Sequence, residues 1–206
     1  MSKKVKIIII TLGIILLPIA ILFFLITSQD DIKNSGLRVG ESAPNFEGMD
    51  QNANLVSLDS LTQTGPVVLI FYRGYWCPYC NKHLSQLQDS LQMIVNMGAS
   101  VVAIAPELPE NVAKTITKTH ATFPVLSDKN LEIMKLYKVD FVVGMGKSIA
   151  YGLFGIDFEE INSLGANTLP VPATYIIDKY NKIQYVHFNP DYKSRESIAG
   201  ILRNLE

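Results

Sequence analysis

The run Val67-Val68-Leu69-Ile70-Phe71-Tyr72-Arg73-Gly74-Tyr75-Trp76-Cys77-Pro78-Tyr79-Cys80 joins an apolar stretch to the only two cysteines of the chain. Downstream, Leu84, Leu87, Leu91, Ile94 and Val95 recur at helical spacing, which predicts a helix from about Pro78 to Met97 with Gly98 as its C′ residue. The cysteine pair therefore falls where a buried strand hands over to a helix N-terminus. Free N–H groups and the positive end of the helix dipole favour an anion there. A thiol so placed can fall from a pKa of about 8.5 to between roughly 3.5 and 7.5. The thiolate is the nucleophile, and a second cysteine within reach resolves the adduct it forms. Cys-x-x-Cys at a strand-to-helix junction of an α/β chain reads as a redox motif.

Two plainer readings compete. A structural disulfide across so short a loop removes little chain entropy, and it would leave the domain a non-catalytic binding module. A zinc site needs about four ligands, yet His83, His120 and His187 are scattered and there is no second cysteine pair. No metal and no cofactor are expected. A formal net charge of −1 over 206 residues gives no reason to expect a nucleic-acid partner.

The 48% hydrophobic content is inflated by the N-terminus. From Ile7 to Ile26 there is no charge, a length of about twenty residues that spans the roughly 30 Å hydrocarbon core of a bilayer. Lys3, Lys4 and Lys6 precede it and Asp30 and Asp31 follow. The positive-inside rule then gives a single-pass protein of the cell membrane, with its N-terminus cytoplasmic and the remainder extracytoplasmic, periplasmic or extracellular. The rival is a cleaved signal peptide. Against it, the apolar segment exceeds the usual h-region of roughly 7–15 residues and no good A-x-A site follows, with cleavage after Ser28 a poor fit. The expected organisation is 1–28 membrane anchor, 29–36 linker and 37–206 a single domain. Outside the cytoplasm no glutathione or thioredoxin pool keeps thiols reduced, so a redox pair there needs a dedicated electron donor or acceptor.

Along the domain, Leu37–Phe46 is an extended lead-in and Asn52–Leu58 a small hairpin strand. Val67–Tyr72 and Val101–Ala105 are continuous apolar runs suited to central strands. Pro109 opens a helix reaching about His120. Phe123–Ser127 is a strand, and Asn130–Tyr137 a helix capped by Asp128 or Asn130. Val142–Leu169, with Gly144, Gly146, Gly152, Gly155 and Gly165 among aromatics, reads as a partly helical insertion near the site. Ala173–Ile177 and Ile183–Phe188 form a hairpin around a turn at Asp178–Asn181, and Ser194–Leu205 is a closing amphipathic helix. The alternation gives an α/β domain, a mixed central sheet with helices on both faces.

That order, with Cys-x-x-Cys after the first core strand, resembles the thioredoxin superfamily. The lead-in Val39-Gly40-Glu41-Ser42-Ala43-Pro44-Asn45-Phe46 is similar to that of the alkyl hydroperoxide reductase/thiol-specific antioxidant group, the peroxiredoxins. Phe71–Cys80 resembles the R-G-x-W-C-P-Y-C variant of peroxiredoxin-like proteins, and Phe123–Asp128, Leu169–Asp178 and Asn189–Arg195 match the same subgroup. The resemblance runs from about Leu37 to the C-terminus and implies a thioredoxin-like fold. It also implies a peroxiredoxin-like thiol oxidoreductase that reduces hydroperoxides through the pair and draws on a thiol electron donor such as a thioredoxin-like protein.

The resemblance leaves two chemistries open. Laid on the peroxiredoxin pattern P-x-x-x-T-x-x-C, Cys80 takes the attacking position, Cys77 the Thr position and Arg73 the Pro position. The arginine that peroxiredoxins carry before a later strand falls on Pro172. A proline there instead resembles the cis-proline of thioredoxin-like disulfide reductases, in which the first cysteine, here Cys77, attacks a protein disulfide and Cys80 resolves. Arg73 is the candidate cation for the peroxide route, Trp76 an apolar wall over the sulfurs, Tyr79 a modulator of their exposure and Pro172 a cis residue opposite Cys77. His83 reads as an exposed helix histidine in preference to a proton relay, and His120 as a C-terminal helix cation. Asp178 reads as a cap of the hairpin turn. For Asp191, Tyr192 and Arg195 no chemical role emerges; Asp191 or Ser194 reads as a helix cap.

Overall fold

The computed structural model describes residues 2–27, 29–162 and 167–206; possible cleavage after Ser28, and Gly165 of the insertion, lie outside them. Helix α1 (Lys3–Thr27) comes first, with Pro18 inside it. Its Lys3–Phe24 part is long and apolar enough to cross a membrane, and none of it is buried against the rest of the chain. The hairpin β1 (Glu47–Met49) and β2 (Leu55–Ser57) leads into the short helix α2 (Leu58–Thr62). Then come β3 (Val67–Phe71), α3 (Pro78–Asp89), α4 (Leu91–Asn96), β4 (Ser100–Ala105), α5 (Pro109–Thr119), β5 (Val125–Ser127) and α6 (Glu132–Leu136). The chain continues through β6 (Asp140–Val142), α7 (Met145–Leu153), α8 (Phe158–Ile161), β7 (Thr168–Pro170), β8 (Ala173–Ile177), β9 (Ile183–Phe188) and α9 (Ile198–Arg203).

The central sheet has the order β5-β4-β3-β8-β9. β3 runs parallel to β4 and antiparallel to β8, with Phe71 opposite both Ile104 and Ala173. Every residue of β3 is buried, as expected for a strand covered on both faces. Its alternate side chains feed two cores. Val67, Leu69 and Phe71 pack with Leu58, Met134, Tyr137 and Tyr175. Val68, Ile70 and Tyr72 pack with Leu84, Leu87, Ile94, Val112, Ile201 and the two cysteines. Helices thus cover both faces, the thioredoxin-like arrangement expected. A third, smaller cluster under the insertion joins Phe141, Val143, Phe158, Leu169 and Val171.

Local chemistry sets the boundaries. Asp128 caps α6: its Oδ1 accepts from the N–H of Glu132 at 2.9 Å and its Oδ2 from that of Met134 at 2.8 Å. Asp178 accepts from the N–H groups of Tyr180 and Lys182, each at 2.8 Å, and closes the β8–β9 turn. His120 is the C-cap of α5, in the left-handed conformation. Two helices differ from expectation. The helix expected to reach Met97 breaks at Ser90, whose φ of −104° and ψ of 4° leave the helical well, so α4 is a separate turn that tucks Ile94 into the core. The closing helix starts at Ile198, because Ser197, and neither Asp191 nor Ser194, caps it by accepting from Gly200 N–H at 3.0 Å. The Asn189–Arg195 stretch stays free to make turns above the sheet end.

Candidate redox active site

Cys77 is the N-cap of α3, Pro78 its first helical residue and Cys80 lies one turn in. The Cys80 N–H points at the Cys77 Sγ, 3.4 Å away. Both sulfurs thus stand at the positive tip of the helix, as expected. The loop from β3 to this tip is held from behind by Glu107, which is fully buried. Its Oε1 accepts from Tyr75 N–H at 2.6 Å; its Oε2 accepts from the hydroxyls of Tyr72 at 2.9 Å and Thr115 at 3.0 Å. Burial pushes the Glu107 carboxyl up to about 7 despite those three donors. Gly74 has a φ of +142°, and a Cβ there would stand 2.6 Å from Trp76 Nε1 and 3.0 Å from Glu107 Oε1. Only glycine suits that corner.

The two sulfurs are electrostatically unlike. Arg195 Nη2 donates to Cys80 Sγ at 3.3 Å. Burial alone opposes a Cys80 thiolate. A hydrogen bond from the Cys77 thiol, the Arg195 charge and the Arg73 backbone N–H outweigh it and bring Cys80 down to about 6. Cys77 moves the other way: its thiol is the donor to Cys80, and burial adds to the shift, so it holds its proton. The contacts favour a thiolate at Cys80 with a protonated Cys77 thiol against it.

Arg73 sits in an aromatic box. Its Nη2 donates to the Tyr151 hydroxyl at 2.7 Å, and its guanidinium carbon lies 4.9 Å from the Trp76 ring centre and 4.7 Å from that of Tyr192. The guanidinium bonded to Cys80 is that of Arg195; the charge of Arg73 bears on Cys77. Trp76 packs on Tyr151 and Phe158, which come from the insertion, so that segment does reach the site. Tyr79 stacks edge-on against Tyr192 at 5.7 Å. Two buried donors in this box, Arg73 Nε and Trp76 Nε1, have no acceptor among the described residues.

Three expectations fail. A thiolate that attacks a partner or a peroxide is expected to be open to it, yet Cys77 and Cys80 are each only 1% exposed. The segment Asn189–Arg195 delivers Tyr192 and Arg195 onto the sulfur end of α3, and Trp76 closes the side. His83 was expected on the helix surface and is 3% exposed. Burial and the nearby Arg195 charge lower its pKa to about 4, so it is neutral. It shares that region with Glu196, whose Oε2 accepts from the Tyr185 hydroxyl and lies 3.5 Å from His187 Nδ1. Pro172 was expected to be cis; no described peptide bond is cis, Val171–Pro172 included. Val171 N–H donates to the Val139 carbonyl at 2.7 Å, and the chain passes from β7 directly into β8. Pro172 still lies at the site end of the sheet, one residue before the Phe71–Ala173 pair.

Sequence reasoning missed Arg195, Glu107 and Tyr151. Arg195 was within a motif that matched the peroxiredoxin-like subgroup, the one signal that pointed to it. Glu107 and Tyr151 gave none, since a lone carboxylate after a strand and a tyrosine in an irregular segment are commonplace.

Known proteins resemble this chain in sequence and in fold. The sequence profile of the AhpC/TSA family matches residues 39–186. A chloroplastic peroxiredoxin Q of Oryza sativa subsp. japonica is 28% identical over 180 residues, 87% of this chain and 72% of that protein. The thiol-disulfide oxidoreductase ResA of Oceanobacillus iheyensis is 32% identical over 134 residues, 62% of this chain and 68% of its own. Among solved structures, the peroxidoxin BcpB of Mycobacterium tuberculosis superposes with a TM-score of 0.63 at 22% identity, covering 82% of this chain and 96% of that one.

Proposed function

The chain belongs to the AhpC/TSA family and is a thiol-dependent peroxidase/oxidoreductase, and from that premise we propose that it reduces hydroperoxides with Cys80 as the attacking thiolate and Cys77 as the resolving thiol. The observation that carries this reading is the Arg195 guanidinium on Cys80 Sγ, with Cys77 kept protonated beside it. The Cys80 thiolate attacks one oxygen of ROOH. The S–O bond forms, the O–O bond breaks, and RO⁻ leaves to take a proton. Cys80 is oxidised to the sulfenic acid. Cys77 then attacks that sulfur, water leaves, and the pair is a disulfide. A dithiol donor, such as a thioredoxin-like protein, restores both thiols by exchange. The net change is ROOH plus two thiols to ROH, water and a disulfide.

Charge develops on the departing oxygen, and preorganised donors are worth most there. Arg195 supplies one. Arg73 Nε and Trp76 Nε1 have no acceptor among the described residues, and a hydroperoxide offers acceptors. They are the substrate-side residues in this reading, with Pro172 forming part of the wall. Burial of both sulfurs requires the Tyr79–Tyr192 layer to shift before a bulky substrate enters.

The test uses single variants of the full chain mixed with hydrogen peroxide and cumene hydroperoxide. Cys80→Ser abolishes thiol loss, whereas Cys77→Ser retains one rapid turnover and accumulates sulfenic acid, detected by a dimedone adduct. The second reading, exchange on extracytoplasmic protein disulfides with Cys77 attacking, is favoured by the likeness to ResA. It stands instead if Cys80→Ser traps a mixed disulfide with a protein while peroxide leaves Cys77→Ser unmodified.

The same reading makes residues 1–28 a membrane tether, 29–36 a linker and 37–206 the catalytic domain outside the cytoplasm, supported by the uncharged length of α1 and the lysines before it. Protease added to spheroplasts, whose cytoplasmic membrane is intact and whose outer layers are removed, degrades the domain if this topology is right.

A further inference from the structure

Helix α7 has two unlike sides. Met145, Ile149 and Leu153 are spaced by four residues and so share one face, and Phe154 follows directly. All four are exposed, Leu153 by 83% and Phe154 by 84%. From Phe141 to Ile156 the only charge is Lys147, and it is paired with Asp30 at 2.7 Å. Contiguous apolar surface of this kind on a folded domain marks a contact with something else. The other side of α7 serves the redox site: Tyr151 holds Arg73 and packs on Trp76.

What covers the face follows from where the chain comes from. Helix α1 ends at Thr27 and passes close to α7. Three residues later, Asp30 is fixed to the start of α7: its Oδ1 accepts from Gly144 N–H at 3.2 Å and its Oδ2 takes the Lys147 ammonium. Asp31 N–H then donates to the Val142 carbonyl at 2.9 Å. Three residues span at most about 11 Å, close to one helix diameter. With α1 crossing a bilayer, α7 is held in the layer between hydrocarbon and water. There an apolar-faced helix lies flat with its apolar side buried about 5–10 Å.

We propose that α7 lies in the membrane interface, with Met145, Ile149, Leu153 and Phe154 among the lipid acyl chains, so that the wall of the redox site rests at the bilayer surface. This rests on the tether reading of α1.

The test places a fluorophore on the face. Full-length Leu153→Trp, and separately Phe154→Trp, are reconstituted in vesicles of phosphatidylcholine and phosphatidylglycerol, with and without brominated acyl chains. The Trp76 signal is subtracted using the unsubstituted chain. Tyr180→Trp, in the exposed β8–β9 turn, is the control. The expected result is a blue-shifted emission at 153 and 154, quenched at least twofold by brominated lipid, with the control unquenched. Emission at the solvent position in a chain that co-floats with vesicles overturns the proposal and leaves the tether intact. A blue shift that brominated lipid fails to quench also overturns it, because a protein then covers the face. A chain that does not float with vesicles sinks the tether reading and this proposal together.

Discussion

Replacing Arg195 by Met removes the guanidinium from Cys80 while keeping much of the side-chain bulk. A hydrogen bond to a charged group is worth about 1.5–3 kcal/mol, which at 1.36 kcal/mol per pKa unit is a rise of about 1–2 units. From about 6, Cys80 would move to about 7–8, and its thiolate fraction at pH 7 would fall from about 90% to about 10–50%. Rate does not follow that fraction. A less acidic thiol is a better nucleophile, with a Brønsted slope of about 0.4–0.5, which returns about a 3- to 10-fold gain for such a rise. If Arg195 only ionises the sulfur, the rate at pH 7 is nearly unchanged and the rate at pH 9 increases. If it also stabilises the departing alkoxide, the rate falls about 10²-fold even at pH 9, where the thiolate is fully formed. We expect the second outcome. The assay is the thiolate absorbance at 240 nm against pH, together with stopped-flow reaction with cumene hydroperoxide. Both are run in Cys77→Ser, whose hydroxyl can still donate to Cys80. An unchanged Cys80 titration would refute the contact as the cause of ionisation. A rate at pH 9 equal to or above that of Cys77→Ser would refute the role in the transition state.

Glu107 has its pKa raised by burial from 4.5 to about 7, so its contribution to stability is present below pH 4.5 and is lost as the pH rises through 7. The 2.5-unit shift corresponds to about 3 kcal/mol, and urea unfolding of Glu107→Gln should lack that slope between pH 4.5 and 7. His83 runs the opposite way: its pKa is lowered from 6.5 to about 4 by burial, so its contribution is present above pH 6.5 and lost as the pH falls through 4. His83→Leu should flatten the acid limb of a stability-versus-pH curve by about 3 kcal/mol. Gly74→Ala, with φ at +142° and Trp76 Nε1 at 2.6 Å from the new Cβ, should destabilise by about 1–3 kcal/mol and slow peroxide reduction, read by thermal unfolding and turnover.

The fold was legible because its signals are local. Val67–Tyr72 and Val101–Ala105 are apolar runs suited to a doubly covered strand, and their neighbours carry caps and turns in sequence order. Elements whose limits depend on tertiary contacts were read less well. Ser90 breaks a helix whose apolar spacing continues across it, because Ile94 reaches the core better from a separate turn. His83 sits on the surface by composition, yet the returning Glu196 segment buries it. Pro172 in a Val-Pro-Ala-Thr-Tyr setting pointed to a cis bond, and the Val171–Val139 hydrogen bond accompanies the trans form.

The same division decides which sulfur attacks. Helix physics taken alone favours Cys77, the N-cap, where dipole and free N–H groups are strongest. That is the disulfide-exchange assignment. The opposite assignment comes from Arg195, 115 residues further along, which sets a full charge against the partial charge of a helix end. The Cys77 N-cap sulfur then becomes a hydrogen-bond donor to Cys80 and keeps its proton. Burial sharpens the contrast, since two thiolates so close in a site of low dielectric would repel strongly. Ionising one sulfur disfavours ionising the other, and the contacts favour the one facing the guanidinium. Under the proposed peroxidase reading, the Cys-x-x-Cys motif does not determine its own nucleophile; the charge that Arg195 brings to Cys80 does.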